Sequence, residues 1–165
     1  MGALWHPGRW RAAPTFGYVR PMTFHPDEVR EAFEHFVAVG DSGDWNAWAD
    51  LHSVDGVWNE CHLGRFEGRE AIREAITSVM AQAPAEIYFP VDWSMIQGDR
   101  VVFYPAQCLP DPTGGDEEFR FGCVTILRYA GDGQWSYQED VYNPNEGQAV
   151  FTRWIEAGGR LPGAT

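Results

Sequence analysis

The first regular pattern along the chain is helical and begins at His25. Apolar residues recur every three or four positions as far as Val37, Pro26 suits a first helical position, and the two acidic residues after it favour the positive end of the helix dipole. We therefore predict a helix that ends at Gly40. A second, short helix is predicted after Asp44, which is a good N-cap.

Two more helices are predicted further along the chain. One follows Gly68 and carries an apolar stripe from Ile72 to Met80. The last one presents Val150 on its apolar side and closes at the glycine pair that begins with Gly158. Both stripes need an apolar surface against which to pack.

The remaining segments change from a period of 3.6 to a period of 2. A first strand is predicted over Gly56 to His62, three more over residues 86–96, 100–109 and 119–129, and a last one over Gln134 to Tyr142. Because short turns join the consecutive strands, antiparallel pairing is expected. The order of elements predicts an α+β domain in which three to four helices cover one face of a strongly curved antiparallel sheet.

The length of the chain bounds its organisation. With 165 residues it is sized for one domain, which we place at residues 23–159. Residues 1–22 lack the continuous apolar core of a secretory signal. We interpret them as an N-terminal extension without a catalytic role. Residues 160–165 are interpreted as a C-terminal tail. No apolar run approaches the roughly 20 residues of a membrane-spanning helix, so a soluble chain is expected.

Charge and cysteine content narrow the possible partners and location. The formal net charge of −12 argues against a nucleic-acid partner, which would need clustered Lys and Arg, and it disfavours an anionic membrane surface. The three cysteines are widely spaced and odd in number, which fits neither a disulfide framework nor a zinc knuckle. A reducing, cytoplasmic location is the simplest interpretation.

Five short stretches carry a resemblance to a known family. They are Gly43 to Leu51, Asp55 to Trp58, Gly68 to Ile72, Gly98 to Val102 and Gly133 to Asn143. These stretches resemble the nuclear transport factor 2-like superfamily, and within it the SnoaL-like group that includes polyketide cyclases, ketosteroid isomerase and limonene-1,2-epoxide hydrolase. The resemblance covers about Phe24 to Gly159. It implies a cone-shaped half-barrel around a central pocket, and a homodimer formed through the exposed sheet face.

Glu60 is the first candidate for a catalytic residue. Alternation places it on one face of its strand with Trp58 and His62, and its position resembles that of the general-base aspartate of ketosteroid isomerase. A carboxylate held among aromatic walls has its charged form disfavoured and becomes usable as a base or an acid. The alternative is that this face is reversed and Glu60 is solvated. His62 is predicted to hydrogen-bond Glu60 or a ligand, or else to lie at the rim.

Asp140 is the second catalytic candidate. It shares a face of the last strand with Gln138 and Tyr142, and its position resembles the second aspartate of limonene epoxide hydrolase. The Arg and Asp that assist that enzyme correspond here to Pro105 and Gln107, so its water-activating triad is not carried over. The alternative is a carboxylate that caps nearby backbone groups at the end of the strand.

Asp41 is a candidate for contact with a ligand. It follows the first helix, where dehydratase-like members of the fold carry a catalytic aspartate, but the His that those enzymes pair with it is not evident in residues 86–96. The alternative is an ordinary turn residue beside Ser42 and Gly43.

Aromatic side chains are the predicted walls of the pocket. The aromatic content of 15% exceeds what packing a domain of this size requires, which indicates that some rings line a cavity. Alternation in residues 86–96 places Val91, Trp93 and Met95 on one side and Tyr88 on the other. The predicted ligand-contacting side chains are Trp58, Tyr88, Tyr104, Tyr142, Asp41 and Gln138, with Trp93 as a further possible wall.

The candidate residues define two functional hypotheses. The first is a cofactor-independent enzyme that performs acid/base chemistry, either isomerisation, cyclisation, dehydration or hydrolysis, on a small, largely apolar molecule. The second is a non-catalytic module that binds a small molecule or a partner. The histidines show no spacing typical of a metal site, so no metal is predicted. The sequence also lacks a nucleotide-binding glycine loop and a nucleophile elbow.

Overall fold

The computed structural model describes residues 24–163. The predicted extension at residues 1–22 and the last two residues of the predicted tail lie outside this range. Within it, the model contains no helix that is both long enough and apolar enough to cross a membrane.

Residues 24–163 contain four helices, as the sequence pattern predicts. They are α1 (Pro26–Ser42), α2 (Trp45–Asp50), α3 (Arg69–Met80) and α4 (Pro144–Glu156). The prediction that α1 ends at Gly40 is wrong by two residues, because the left-handed residue that terminates it is Gly43, with a φ of 72°. Asp41 therefore lies in the last turn of a helix and not in the loop that follows it.

In the described part of the chain, seven strands form one curved, unclosed sheet. They are β1 (His52–Glu60), β2 (Gly64–Glu67), β3 (Val91–Gln97), β4 (Arg100–Leu109), β5 (Phe119–Gly122), β6 (Val124–Gly131) and β7 (Gln134–Val141). The strand order is β2-β1-β7-β6-β4-β3, and β5 pairs with β4 outside this path. The predicted α+β half-barrel is thus confirmed, although the single strand predicted over residues 119–129 is two strands that separate at Cys123.

The pairing of β1 with β7 departs from the predicted antiparallel sheet. These two strands run parallel, with Trp58 opposite Gln138 and Glu60 opposite Asp140, whereas the other strand pairs are antiparallel. Parallel neighbours in register present their side chains to the same face of a sheet. The parallel pair therefore aligns two carboxylates on one face.

A bulge in β3 breaks the predicted alternation of that strand. The register with β4 shifts between Val91 and Trp93, so one extra residue reverses the side to which the following side chains point. Val91 lines the interior, whereas Trp93 and Met95 are 44% and 61% exposed. The prediction that these three side chains share one side is wrong for this reason.

Helices α1, α2 and α3 pack with the sheet around the main hydrophobic core. Phe33 and Phe36 of α1 make edge-on contacts with Phe103 of β4, at ring-centroid distances of 5.0 and 6.2 Å. Helix α4 forms a separate, smaller cluster in which Trp154 packs with Phe119 and its neighbours in β5. The larger core frames a hollow that its own side chains do not fill.

Candidate functional site

A cavity of about 190 Å³ lies between helices α1 to α3 and the sheet. Seven aromatic residues line it: Phe36, Trp45, Trp48, Trp58, Phe89, Phe103 and Tyr142. Six side chains with strong hydrogen-bonding groups also reach it: Asp41, Glu60, Gln107, Thr125, Gln138 and Asp140. A mostly apolar hollow with a few convergent polar groups is the usual form of a small-molecule site.

Asp140 of β7 is held by three side-chain donors. The hydroxyl of Thr125 donates to its Oδ1 at 2.6 Å, and the indole Nε1 of Trp58 donates to its Oδ2 at 2.6 Å. The amide nitrogen of Gln138 also donates to Oδ2, at 2.8 Å. The residue as a whole is partly buried, and its side chain lines the cavity.

Competing effects act on the proton affinity of Asp140. Burial, the largest of them, raises the pKa of Asp140 above its ordinary value, because low dielectric surroundings disfavour the charged form. The hydrogen bonds from Thr125, Trp58 and Gln138 lower this pKa, and the neighbouring charge of Glu60 raises it. Asp140 is therefore a fixed carboxyl group with increased affinity for a proton, which suits general acid or base work.

Glu60 also lines the cavity, but its carboxylate is hydrogen-bonded to the backbone of the turn that follows it. The side chain is only 5% exposed, which excludes the reversed, solvated alternative. Its Oε2 accepts hydrogen bonds from the backbone N–H groups of His62, at 2.8 Å, and of Leu63. Strand β1 ends at Glu60, so the carboxylate stabilises the turn between β1 and β2 while part of it faces the interior.

A buried histidine lies behind Asp140. His52 Nε2 is 3.2 Å from Oε1 of Gln138, whose amide nitrogen donates to Asp140. Because an amide oxygen only accepts, Nε2 of His52 carries the hydrogen in this arrangement. Burial lowers the pKa of His52 to about 4, so the imidazole is neutral near pH 7. The two hydrogen bonds that link His52, Gln138 and Asp140 fix the orientation of the Asp140 carboxyl group.

Tyr142 and Cys123 complete the wall around the carboxylates. Burial and the nearby Glu60 carboxylate raise the pKa of the Tyr142 phenol, so its hydroxyl keeps its proton in neutral solution. Burial raises the pKa of the Cys123 thiol to about 12, and the thiol is 3.8 Å from the Thr125 hydroxyl. The tyrosine is a usable hydrogen-bond donor, whereas the cysteine is not a nucleophile here.

Asp41 lies at the mouth of the cavity. It is exposed, and it lines both the main cavity and an adjoining open depression formed by the end of α1 and residues 84–90. Pro105 and Gln107 of β4 face the interior, at the positions where the resemblance predicts an assisting Arg and Asp. The amide of Gln107 is therefore the polar group that this wall offers.

Three predicted site residues lie outside the lining of the main cavity. His62 is exposed in the turn after β1, because the strand ends two residues earlier than predicted. Tyr88 lines the adjoining depression and donates to Glu118 at 2.9 Å, while Tyr104 stacks on Trp93 on the outer sheet face, at 5.7 Å. Tyr104 faces outward because it alternates on β4 with Phe103 and Pro105, which line the cavity.

The remaining predicted residues meet in one place. Trp58, Glu60, Gln138, Asp140 and Tyr142 all line the main cavity, and Asp41 lies at its mouth. Their chemical roles stay predictions.

Sequence reasoning missed Thr125 and His52. Both are buried polar residues, at 2% and 0% exposure, and both bond into the Asp140 network. Thr125 alternates with Leu127 and Tyr129, so its place on an otherwise apolar strand face was a usable signal. Among residues 24–163, no group of three or more His, Cys, Asp or Glu side chains is placed to hold a metal ion.

Solved structures of similar fold include proteins with bound small molecules. A Catenulispora acidiphila protein with a ketosteroid isomerase-like fold, in complex with trimethylamine, has 20% identity and a TM-score of 0.61, covering 73% of this chain and 91% of that one. TerC, co-crystallised with polyporic acid, has 18% identity and a TM-score of 0.58, covering 78% and 98%.

An enzyme is also among these structures. An LEH-like epoxide hydrolase of M. tuberculosis has 14% identity and a TM-score of 0.63, covering 80% of this chain and 95% of that one. Identities at this level show a shared fold and nothing more about activity. No curated protein matches the sequence. The family model of the SnoaL-like domain matches residues 25–138, which is more than half of the chain, so the protein belongs to the SnoaL-like family of the nuclear transport factor 2-like superfamily.

Proposed function

We propose that the protein is an enzyme that moves protons on a small, largely apolar molecule bound in the cavity, without a cofactor. The observation that carries this proposal is the pair of carboxyl groups, Glu60 and Asp140, that stand in register on parallel strands and face one apolar hollow. The matching fold of an epoxide hydrolase and of proteins with bound small molecules supports such a use.

Asp140 is the proposed acid/base group. As a carboxylate it takes a proton from a carbon or hydroxyl of the ligand, and as the acid it returns that proton to another atom of the same molecule. The net result is an isomerisation or a ring closure, and loss or addition of water follows the same pattern. The hydroxyl of Tyr142 and the amide of Gln107 are the proposed donors to a developing oxyanion.

Glu60 is proposed to act through its charge. Its Oε2 is already occupied by two backbone N–H groups, so it is less free than Asp140 to move a proton. Its charge raises the pKa of Asp140, which makes that group a stronger base. Asp140 is therefore placed before Glu60 as the group that moves protons, whereas the sequence pattern placed Glu60 first.

A non-catalytic binding module is the second candidate. It is favoured by one observation, namely that both oxygens of Asp140 already accept hydrogen bonds from Thr125, Trp58 and Gln138. In this case the carboxylates orient a bound molecule without exchanging protons with it.

Dimerisation and a reducing compartment are further parts of the proposal. The outer sheet face presents Trp93 and Met95, which suits pairing with a second copy through the sheet. The three cysteines are unpaired, one exposed and two buried, which supports a cytoplasmic location.

The test is an incubation of a small-molecule extract with the wild type, Asp140→Asn and Glu60→Gln, followed by mass spectrometry. The matched control is Glu139→Gln, because Glu139 neighbours Asp140 on β7 but bonds to Asn59 and Tyr137 away from the cavity. We expect the wild type and the control to convert at least one compound into an isomer or a hydrated or dehydrated product. Asp140→Asn should lose this conversion. Conversion by folded Asp140→Asn and Glu60→Gln equal to that of the wild type would reject the roles of the two carboxyl groups, and no conversion by the wild type would reject the enzymatic proposal.

A further inference from the structure

The charges in the main cavity are all of one sign. Within residues 24–163, its lining contains the carboxyl groups of Asp41, Glu60 and Asp140 and no Arg or His side chain. The 165-residue chain contains no lysine. In the part of the chain that the structure describes, the imidazole hydrogen-bonded into the Asp140 network is that of His52, and it is neutral near pH 7.

This imbalance is unusual for partly buried carboxylates. Like charges in a hollow with few polar groups repel one another, and burial without a countercharge is costly. Neutral donors supply hydrogen bonds to Asp140 and Glu60, but they supply no positive charge. A ligand that carries a positive charge would supply it.

The walls of the cavity favour the same kind of ligand. Aromatic rings surround the space, among them Trp48 and Trp58, which contact each other edge-on at 5.8 Å, and Trp45 and Phe89, also at 5.8 Å. Aromatic faces attract cations, and Trp does so most strongly. Such rings also solvate the methyl and methylene groups that surround the charge of an organic ammonium ion.

The size of the cavity sets the scale of the ligand. Its volume of about 190 Å³ is somewhat larger than the ~150 Å³ cavities that accept benzene. A compact ammonium ion with a few methyl groups, or with one ring, fits this space.

We infer that the ligand of the cavity is a compact organic cation, that is, a tertiary or quaternary ammonium ion or a protonated amine with apolar substituents. This inference rests on the proposed function for the cavity as a small-molecule site, and it names the substrate class of that site. The carboxyl groups at the inner end hold the charge, and the rings enclose the apolar groups around it.

The test compares cations with neutral molecules of the same shape. Choline is paired with 3,3-dimethylbutan-1-ol, and benzyltrimethylammonium with neopentylbenzene, and binding to the wild type is measured by calorimetry and by tryptophan fluorescence. We expect at least one cation to bind about tenfold or more tightly than its isostere. Asp140→Asn and Glu60→Gln should each reduce this preference, while Glu139→Gln keeps it.

The outcomes separate this inference from the proposed function. Equal or weaker binding of both cations, or no binding by either pair, would overturn the inference, and the conversion experiment would still decide the enzymatic proposal. A clear preference for the cation, together with no conversion by the wild type, would support the inference for a binding protein and reject catalysis.

Discussion

Glu60 and Asp140 are register partners on the parallel strands β1 and β7, and the two carboxyl groups face the same cavity. Different groups hold them. Glu60 accepts hydrogen bonds from the backbone of its own turn, whereas Asp140 accepts them from three side chains on β1, β6 and β7. The first arrangement fixes a turn, and the second presents a carboxyl group to the space in front of it.

Removing the hydroxyl of Thr125 should weaken the support of Asp140. Thr125→Val keeps the shape of the side chain but deletes the donor to Oδ1, so we expect unfolding to become easier by about 1–3 kcal/mol. Because that hydrogen bond lowers the pKa of Asp140, its loss should also shift the acidic limb of the pH–rate profile to higher pH. Chemical denaturation and the profile for the converted compound measure both effects.

Thr125→Ser is the matched control, since it keeps the hydroxyl and loses only a methyl group. Its pH–rate profile should stay close to that of the wild type. A Thr125→Val protein with the stability and the profile of the wild type would show that this hydrogen bond does not hold Asp140.

The buried His52 should make the protein sensitive to acid. Its pKa is about 4 in the folded chain and near 6.5 when exposed, so the unfolded chain binds more protons between these values. The free energy of unfolding therefore decreases as pH falls from 6.5 towards 4, and His52 accounts for at most about 3 kcal/mol of this decrease. His52→Gln should lack this contribution, which unfolding free energies measured at pH 7 and near pH 4 would reveal.

His35→Gln is the control for that comparison, because His35 is exposed on α1. It should lose as much stability in acid as the wild type does. If His52→Gln loses the same amount as well, the acid sensitivity arises elsewhere.

The exposed apolar pair on β3 should support a dimer. Trp93→Ser combined with Met95→Ser should weaken self-association by about tenfold or more, since a large aromatic residue in an interface commonly contributes about 2 kcal/mol. Analytical ultracentrifugation over a range of concentrations measures this. Val54→Ser is the control, because Val54 is 76% exposed outside β3 and should not affect the dimer. A wild type that stays monomeric would contradict the prediction.

Much of the fold could be predicted from the sequence because its signals are local. Pro26, Asp44 and Asn143 stand at helix starts, and the apolar residues that follow each of them have helical spacing. The face of β7 that carries Gln138 and Asp140 was also predictable, because that strand is regular where it carries them.

Other features depend on contacts between distant segments. The bulge between Val91 and Trp93 is fixed by pairing with β4, and nothing in the local alternation announces it. The parallel pairing of β1 with β7 joins segments about 80 residues apart, as the bond from Trp58 to Asp140 shows. The partners of Asp140 could not be assigned without it.

The most direct test of the account is a ¹³C NMR titration of the carboxyl groups in the wild type, with the Asp140 signal assigned by its loss in Asp140→Asn. Our account predicts a pKa for Asp140 above the ordinary range of aspartate, because burial outweighs its three hydrogen bonds. A pKa at or below the ordinary value would contradict it, since such a group would only be a hydrogen-bonded anion in the wall of the cavity.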